Sequence, residues 1–149
     1  FNEIYWKTKD IPNCTVVTGY ELWISGHLKK GSDVWLNNPK MYREASGTSG
    51  MTAAMNASVN LSIPDGWVPE FAKHGKNSFI IDPAKDFLSP EEKDKVEAQH
   101  LFEVLENEII PTYYKNPSKW LSIVKQSMSD VLPFFDSGRM AKEYYEKMY

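Results

Sequence analysis

"REASGTSGMTAAMNASVNLSIPDGW", residues Arg43–Trp67, joins two kinds of chemistry in one short run. Ser46, Gly47, Thr48, Ser49 and Gly50 read as a loop, whereas Met51, Ala53, Ala54 and Met55 read as the buried side of a helix. A helix leaves its first N–H groups without intrahelical acceptors, and its aligned peptide dipoles add partial positive charge there. An anion, typically a phosphate, is the natural guest. Gly47 and Gly50 let the backbone approach a ligand closely, and the neighbouring hydroxyls add donors. Glu44 repels a phosphate but accepts hydrogen bonds from sugar hydroxyls. One end of the loop therefore suits a sugar ring and the other a phosphate. The plainer reading is a strand-to-helix turn with small residues for packing. The loop is not Walker A, because Lys followed by Ser or Thr is missing, and it is not GxGxxG.

Working outward, residues 13–83 alternate short β-like and helical runs. "CTVVTGY" (Cys14–Tyr20) reads as a buried strand, Glu21–Lys30 as a short helix closed by Gly31, and Asp33–Pro39 as a second strand. The helix Met51–Asn56, a strand Val59–Ile63 ended by Pro64-Asp65-Gly66, a helical turn near Glu70–His74 and a strand Ser78–Ile81 follow. This alternation predicts an α/β fold with a parallel sheet and right-handed crossovers. Residues 89–149 read as helix throughout. Ser89-Pro90-Glu91-Glu92 is a capping-box start, followed by an apolar stripe of Ala98, Leu101, Phe102 and Leu105. Asn116-Pro117 opens a helix with Trp120, Val124, Met128 and Val131 on one face, which Pro133 should break. Ser137 is the expected cap of a last helix with Ala141, Tyr144, Tyr145 and Met148 on one face. The expected division is a partial Rossmann-like α/β part, 1–83, and a helical part packed on it, 84–149.

Composition excludes several classes. The chain has 149 residues, 42% hydrophobic and 25% charged, as in ordinary globular domains. A net charge of -3 gives no basic footprint for nucleic acid. Cys14 is the single cysteine, which excludes an internal disulfide and fits a reducing, cytoplasmic compartment. No apolar run approaches the roughly 20 residues of a membrane span. His27, His74 and His100 lack ligand spacing, so no metal site is expected. Five Trp, eight Tyr and seven Phe fill cores or stack on sugars. The chain starts at Phe1 without Met, as a fragment would.

Other residues near the loop have weaker claims. Asp65 belongs first to a turn, though it follows a strand on the presumed site side. Trp67 and Phe71 read as core before they read as sugar-pocket walls. Lys40 and Arg43 flank the loop as cations suited to phosphate or to solvent. Glu91, Glu92, Asp94 and Glu97 read as a solvated helix face.

"EASGTSGM" (Glu44–Met51), "AAMN" (Ala53–Asn56) and "NLSIPDGW" (Asn60–Trp67) resemble the signature near the C-terminus of α-glucan (glycogen, maltodextrin) phosphorylases of the bacterial and archaeal branch. The resemblance continues in "ENEIIPTYY" (Glu106–Tyr114) and "GRMAKEYYEKMY" at the chain end. It implies the C-terminal half of the second Rossmann-like domain of a two-domain GT-B glycosyltransferase. The implied reaction is phosphorolysis of a terminal α-1,4-linked glucose of a glucan to glucose 1-phosphate, assisted by the phosphate of pyridoxal phosphate. By position, Glu44, Ala45, Ser46 and Gly47 would contact the glucosyl unit, and Thr48 and Ser49 would lie near the cofactor phosphate. The family's phosphate-binding Lys and Arg lie upstream, which implies that this segment alone is inactive.

One departure strikes the chemistry. The family's Schiff-base Lys follows the Met, and here that position is Thr52, which has no amine. Three alternatives follow: a noncovalent cofactor, another phosphate donor, or a changed activity. A sugar-nucleotide glycosyltransferase without pyridoxal phosphate and a non-catalytic carbohydrate-binding module are the competing readings. A parallel sheet lacking its first strands exposes apolar edges, which predicts dimerisation or aggregation of the segment.

Overall fold

The computed structural model describes residues 2–19 and 21–149. Its elements run α1 (Asn2–Thr8), α2 (Leu22–Gly31), β1 (Val34–Asn37), α3 (Thr48–Met55), β2 (Val59–Ser62), α4 (Val68–Phe71) and β3 (Phe79–Ile80). Four longer stretches follow: α5 (Pro90–Val104) with a π-helical turn at Leu105–Ile109, α6 (Ile110–Lys115), α7 (Pro117–Phe134) and α8 (Ser137–Met148).

Among the described residues the sheet has three strands in the order β1-β2-β3, all parallel. Val34 pairs with Val59, and Leu61 with Phe79. Each strand connects to the next through a helix, as the alternating pattern predicts. The central strand β2 is buried at every position, because α3 covers one face and the C-terminal helices the other. Asn60 and Ser62 are therefore buried as fully as Val59 and Leu61.

The expected strand Cys14–Tyr20 is not formed. Residues 14–18 have no regular structure and are largely exposed, and Tyr20 lies outside the described residues. A β-branched run becomes a strand only when a neighbour pairs with it, and none of the described strands adjoins this one. The helix after the glycine loop begins at Thr48 rather than Met51, so three of the five expected loop residues, Thr48–Gly50, lie in its first turn.

The buried apolar residues form two cores, one on the sheet and one between α3, α4 and α7. Val59, Leu61, Ile63, Phe79 and Ile81 pack with Val104, Ile109, Trp120 and Ile123 of the C-terminal helices. Ala54 of α3 packs with Trp67, Val68, Phe71 and Val131. The Ser89–Glu92 capping box forms as expected, with Ser89 N–H donating to Glu92 and Glu92 N–H to Ser89. The apolar face of α5 is rotated from the expected one. Leu101, Val104 and Leu105 face the sheet, and Ala98 and Phe102 are exposed. The π turn precedes Pro111, which lacks an N–H and would crowd the carbonyl four residues earlier in a regular helix.

Asn116 caps α7 by accepting from the Lys119 amide at 3.1 Å. Trp120, Ile123, Ser127 and Val131 are buried on its inner face, with Val124 and Met128 only partly covered. The helix runs one residue past Pro133, to Phe134. Asp136, not Ser137, caps α8, its carboxylate accepting from the Arg139 amide at 2.8 Å. Helices α1, α2 and α8 bury no residue. No helix among the described residues is long and apolar enough to cross a membrane.

Candidate functional site

The glycine loop joins the carboxyl end of β1 to the start of α3. The Pro64-Asp65-Gly66 turn leaves the carboxyl end of the adjacent strand β2. Both therefore sit on the edge of an α/β sheet where ligands bind.

The two loops are stitched together. Asp65 is buried, and its Oδ2 accepts the backbone N–H groups of Arg43 at 3.0 Å and Glu44 at 2.9 Å. Its Oδ1 accepts the Gly66 N–H at 2.9 Å. The Glu44 amide foremost holds the Asp65 carboxyl below its ordinary range, against burial, with the amides of Gly66, Arg43 and Tyr42 adding to it. The Trp67 N–H donates to the Ser46 carbonyl at 2.9 Å, closing the other side. Gly66 has φ +58°, and a Cβ there would lie 2.4 Å from that carbonyl oxygen. Only glycine fits this crossing of backbones.

Gly47 is the N-cap of α3, with φ +90°. A left-handed residue here turns the chain from the Glu44–Ser46 loop into the helix. The amides of Thr48 and Ser49 donate none of the hydrogen bonds among the described residues, as first-turn amides do when no side chain caps them. Glu44 is half-buried beside them, with its Oε1 3.2 Å from where a Gly47 Cβ would stand. Its carboxylate joins no hydrogen bond or ion pair among the described residues. Ala45, Ser46 and Thr48 are exposed, and Ser49 is half-buried. An acceptor-only carboxylate thus borders a pair of free donors, on backbone fixed from below by Asp65.

Thr52 lies on the exposed face of α3, one turn after Thr48, and its hydroxyl donates to the Thr48 carbonyl at 3.0 Å. A Schiff base needs a primary amine, so covalent attachment of pyridoxal phosphate does not fit this position. Trp67 and Phe71 are core residues, stacked with ring centroids 4.8 Å apart. Lys40 and Arg43 line a separate cleft with residues of the β3–α5 loop and α5.

Two residues that shape the site carry no obvious chemical signature in the sequence. Asp65 reads as a turn former, yet it holds the preceding loop. Asn60 Nδ2 donates to the Gly50 carbonyl at 3.0 Å and so fastens α3 to β2. A polar residue between Val59 and Leu61, in a strand bounded by helical segments, was the available signal for the latter.

A small parallel sheet flanked by helices, with a glycine-rich strand-to-helix turn at its carboxyl edge, defines the chain as an α/β protein. No family model matches the chain. It is 46% identical to the maltodextrin phosphorylase of Thermococcus litoralis over 90% of this chain and 16% of that protein. It is 44% identical to an uncharacterized protein of Methanocaldococcus jannaschii over 100% of this chain and 27% of that one. It is 39% identical to the glycogen phosphorylase of Aquifex aeolicus over 89% of this chain and 19% of that enzyme. The chain is homologous to a segment of the α-glucan phosphorylases, and it spans between a sixth and about a quarter of these relatives' length.

Proposed function

We propose that the chain is the C-terminal part of an α-glucan phosphorylase-type glycosyltransferase, and that the β1–α3 loop holds the glucosyl unit and its phosphate. The full-length protein would convert α-1,4-glucan and phosphate to glucose 1-phosphate in the cytoplasm, on a two-domain GT-B fold. In this reading residues 1–83 are the end of the Rossmann-like part and 84–149 the helices that cover it. The observation that carries the proposal is the juxtaposition of the Glu44 carboxylate with the free amides of Thr48 and Ser49 at the carboxyl edge of the sheet.

Each residue then has a physical role. Glu44 accepts from ring hydroxyls. The backbone at Ala45, Ser46 and Gly47 lies along the sugar. The amides and hydroxyls of Thr48 and Ser49 face negative oxygen, aided by the α3 dipole. Pyridoxal phosphate would supply a phosphate group to assist the departing glucosyl phosphate, but Thr52 offers no covalent anchor for it.

Thr52 favours one second reading, a glucosyl transferase that uses a sugar nucleotide, whose phosphate would occupy the same helix entrance. Incubating the full-length protein with maltodextrin and phosphate separates the two. Release of glucose 1-phosphate supports phosphorolysis. Its absence, together with chain extension from a nucleotide-glucose donor, supports the second reading.

A further inference from the structure

Gly50 needs no left-handed backbone, unlike Gly47 and Gly66, so its own conformation does not call for glycine. Its surroundings do. A Cβ on Gly50 would stand 2.7 Å from Asn60 Oδ1, 3.1 Å from Trp67 Cζ2 and 3.2 Å from Trp67 Nε1. A Cβ on Gly47 would stand 3.4 Å from Trp67 Cδ1. Both glycines thus rest a bare Cα against the same indole. The Trp67 backbone holds the loop a third time, through its N–H on the Ser46 carbonyl.

Neither neighbour of Gly50 is free to give way. The buried Trp67 ring stacks on Phe71 and meets Phe135 edge-on, with ring centroids 5.1 Å apart in the second pair. Asn60 is buried too, and its Nδ2 is held on the Gly50 carbonyl. Turning the Asn60 amide away from Gly50 breaks that bond. Trp67 Nε1 and Asn60 Oδ1 have no hydrogen-bond partner among the described residues, yet both lie within 3.2 Å of one point beside Gly50. A buried donor and acceptor left unpaired lower stability, and an apolar pair of similar shape would fill the space without that loss. Core filling alone therefore does not explain these two side chains. Thr48 and Ser49, whose amides are unpaired, stand immediately before Gly50 in the same turn. Where Gly50 sits sets where those amides point, and hydrogen bonds weaken steeply as distance and angle depart from the optimum.

We propose that Trp67 and Asn60 are positioning residues that seat the first turn of α3 from beneath, so that the Thr48 and Ser49 amides meet the phosphate of a glucosyl phosphate. This role rests on the reading of the β1–α3 loop as the glucosyl phosphate site. It adds that preference for the phosphate-bearing sugar over the bare sugar is set at the buried contact of Gly50, out of reach of the ligand.

The test is a double-mutant cycle in the full-length protein, read by calorimetric titration with glucose 1-phosphate and with glucose. Gly50→Ala drives a methyl group between the turn and its seat. It should weaken glucose 1-phosphate binding about tenfold and glucose binding less than about twofold. Asn60→Ser removes the nearest clashing atom along with the bond to the Gly50 carbonyl, and alone should weaken glucose 1-phosphate about threefold. Independent losses would multiply to about thirtyfold in the double variant, whereas a shared seat leaves it no weaker than about tenfold. Unchanged affinity in folded Gly50→Ala, equal loss for both ligands, or a multiplied loss in the double variant overturns the seat. A protein that binds glucose 1-phosphate but no glucose is judged on the cycle. If Gly50→Ala does not fold, Asn60→Ser decides: a loss of about threefold for glucose 1-phosphate supports the seat, and undiminished affinity overturns it. If the unsubstituted protein binds no glucose 1-phosphate, the reading of the loop falls and the seat with it. If it binds and the variants behave as independent sites, only the seat falls.

Discussion

Asp65 Oδ2 lies 2.9 Å from the backbone nitrogen of Glu44. The turn after β2 thereby sets the position of the loop after β1. Removing the carboxylate strands the Arg43, Glu44 and Gly66 amides in a partly buried place. Asp65→Ala should lower unfolding free energy in urea by about 1–3 kcal/mol and weaken glucose 1-phosphate binding as well. An unchanged denaturation midpoint would show that the clamp carries no energy.

The same clamp has a pH signature. The folded state holds the Asp65 carboxyl below its ordinary range, chiefly through the Glu44 amide. Its contribution to stability is therefore complete above the unfolded-state value of about 3.9 and is lost as pH falls through the lower folded value. Stability measured between about pH 5 and pH 2 should fall less steeply in Asp65→Asn than in the unsubstituted protein. Identical slopes would remove Asp65 from the acid limb.

Gly66 is a backbone crossing point. An alanine there meets the Ser46 carbonyl oxygen at 2.4 Å and must also keep φ at +58°. Left-handed backbone alone costs a non-glycine residue about 1–2 kcal/mol, so Gly66→Ala should cost at least about 2 kcal/mol by thermal or chemical unfolding. Wild-type stability would mean that the crossing relaxes freely.

Much of this arrangement was legible in the residues, and the failures have physical causes. The order of strand and helix over Val34–Ile80, the capping box at Ser89 and the Asn116 cap are local signals, and they survive in the fold. The Cys14–Tyr20 run misled because β-propensity reports side-chain fit and not the presence of a partner strand. Thr48–Gly50 looked like loop because small residues say little about where a helix begins. The position of Glu44 beside the α3 entrance followed from sequence order alone. The Asp65 clamp did not, since its partners are main-chain amides more than 20 residues away and carry no residue signature.

Thr52 makes a chemical prediction independent of activity. Borohydride reduction of the full-length protein with pyridoxal phosphate, followed by peptide mass analysis, should leave no pyridoxyl adduct on the peptide containing Thr52. The variant Thr52→Lys should gain one if the helix entrance holds the cofactor phosphate. A reduced pyridoxyl group on another residue of this peptide in the unsubstituted protein would contradict the reading of Thr52.

The most direct measurement is calorimetric titration of glucose 1-phosphate into the full-length protein and its Glu44→Ala variant. If Glu44 accepts from the sugar hydroxyls while the amides of Thr48 and Ser49 hold the phosphate, the variant should fold normally and bind about tenfold or more weakly. A folded Glu44→Ala protein with undiminished affinity would contradict the assignment of this loop to the glucosyl phosphate.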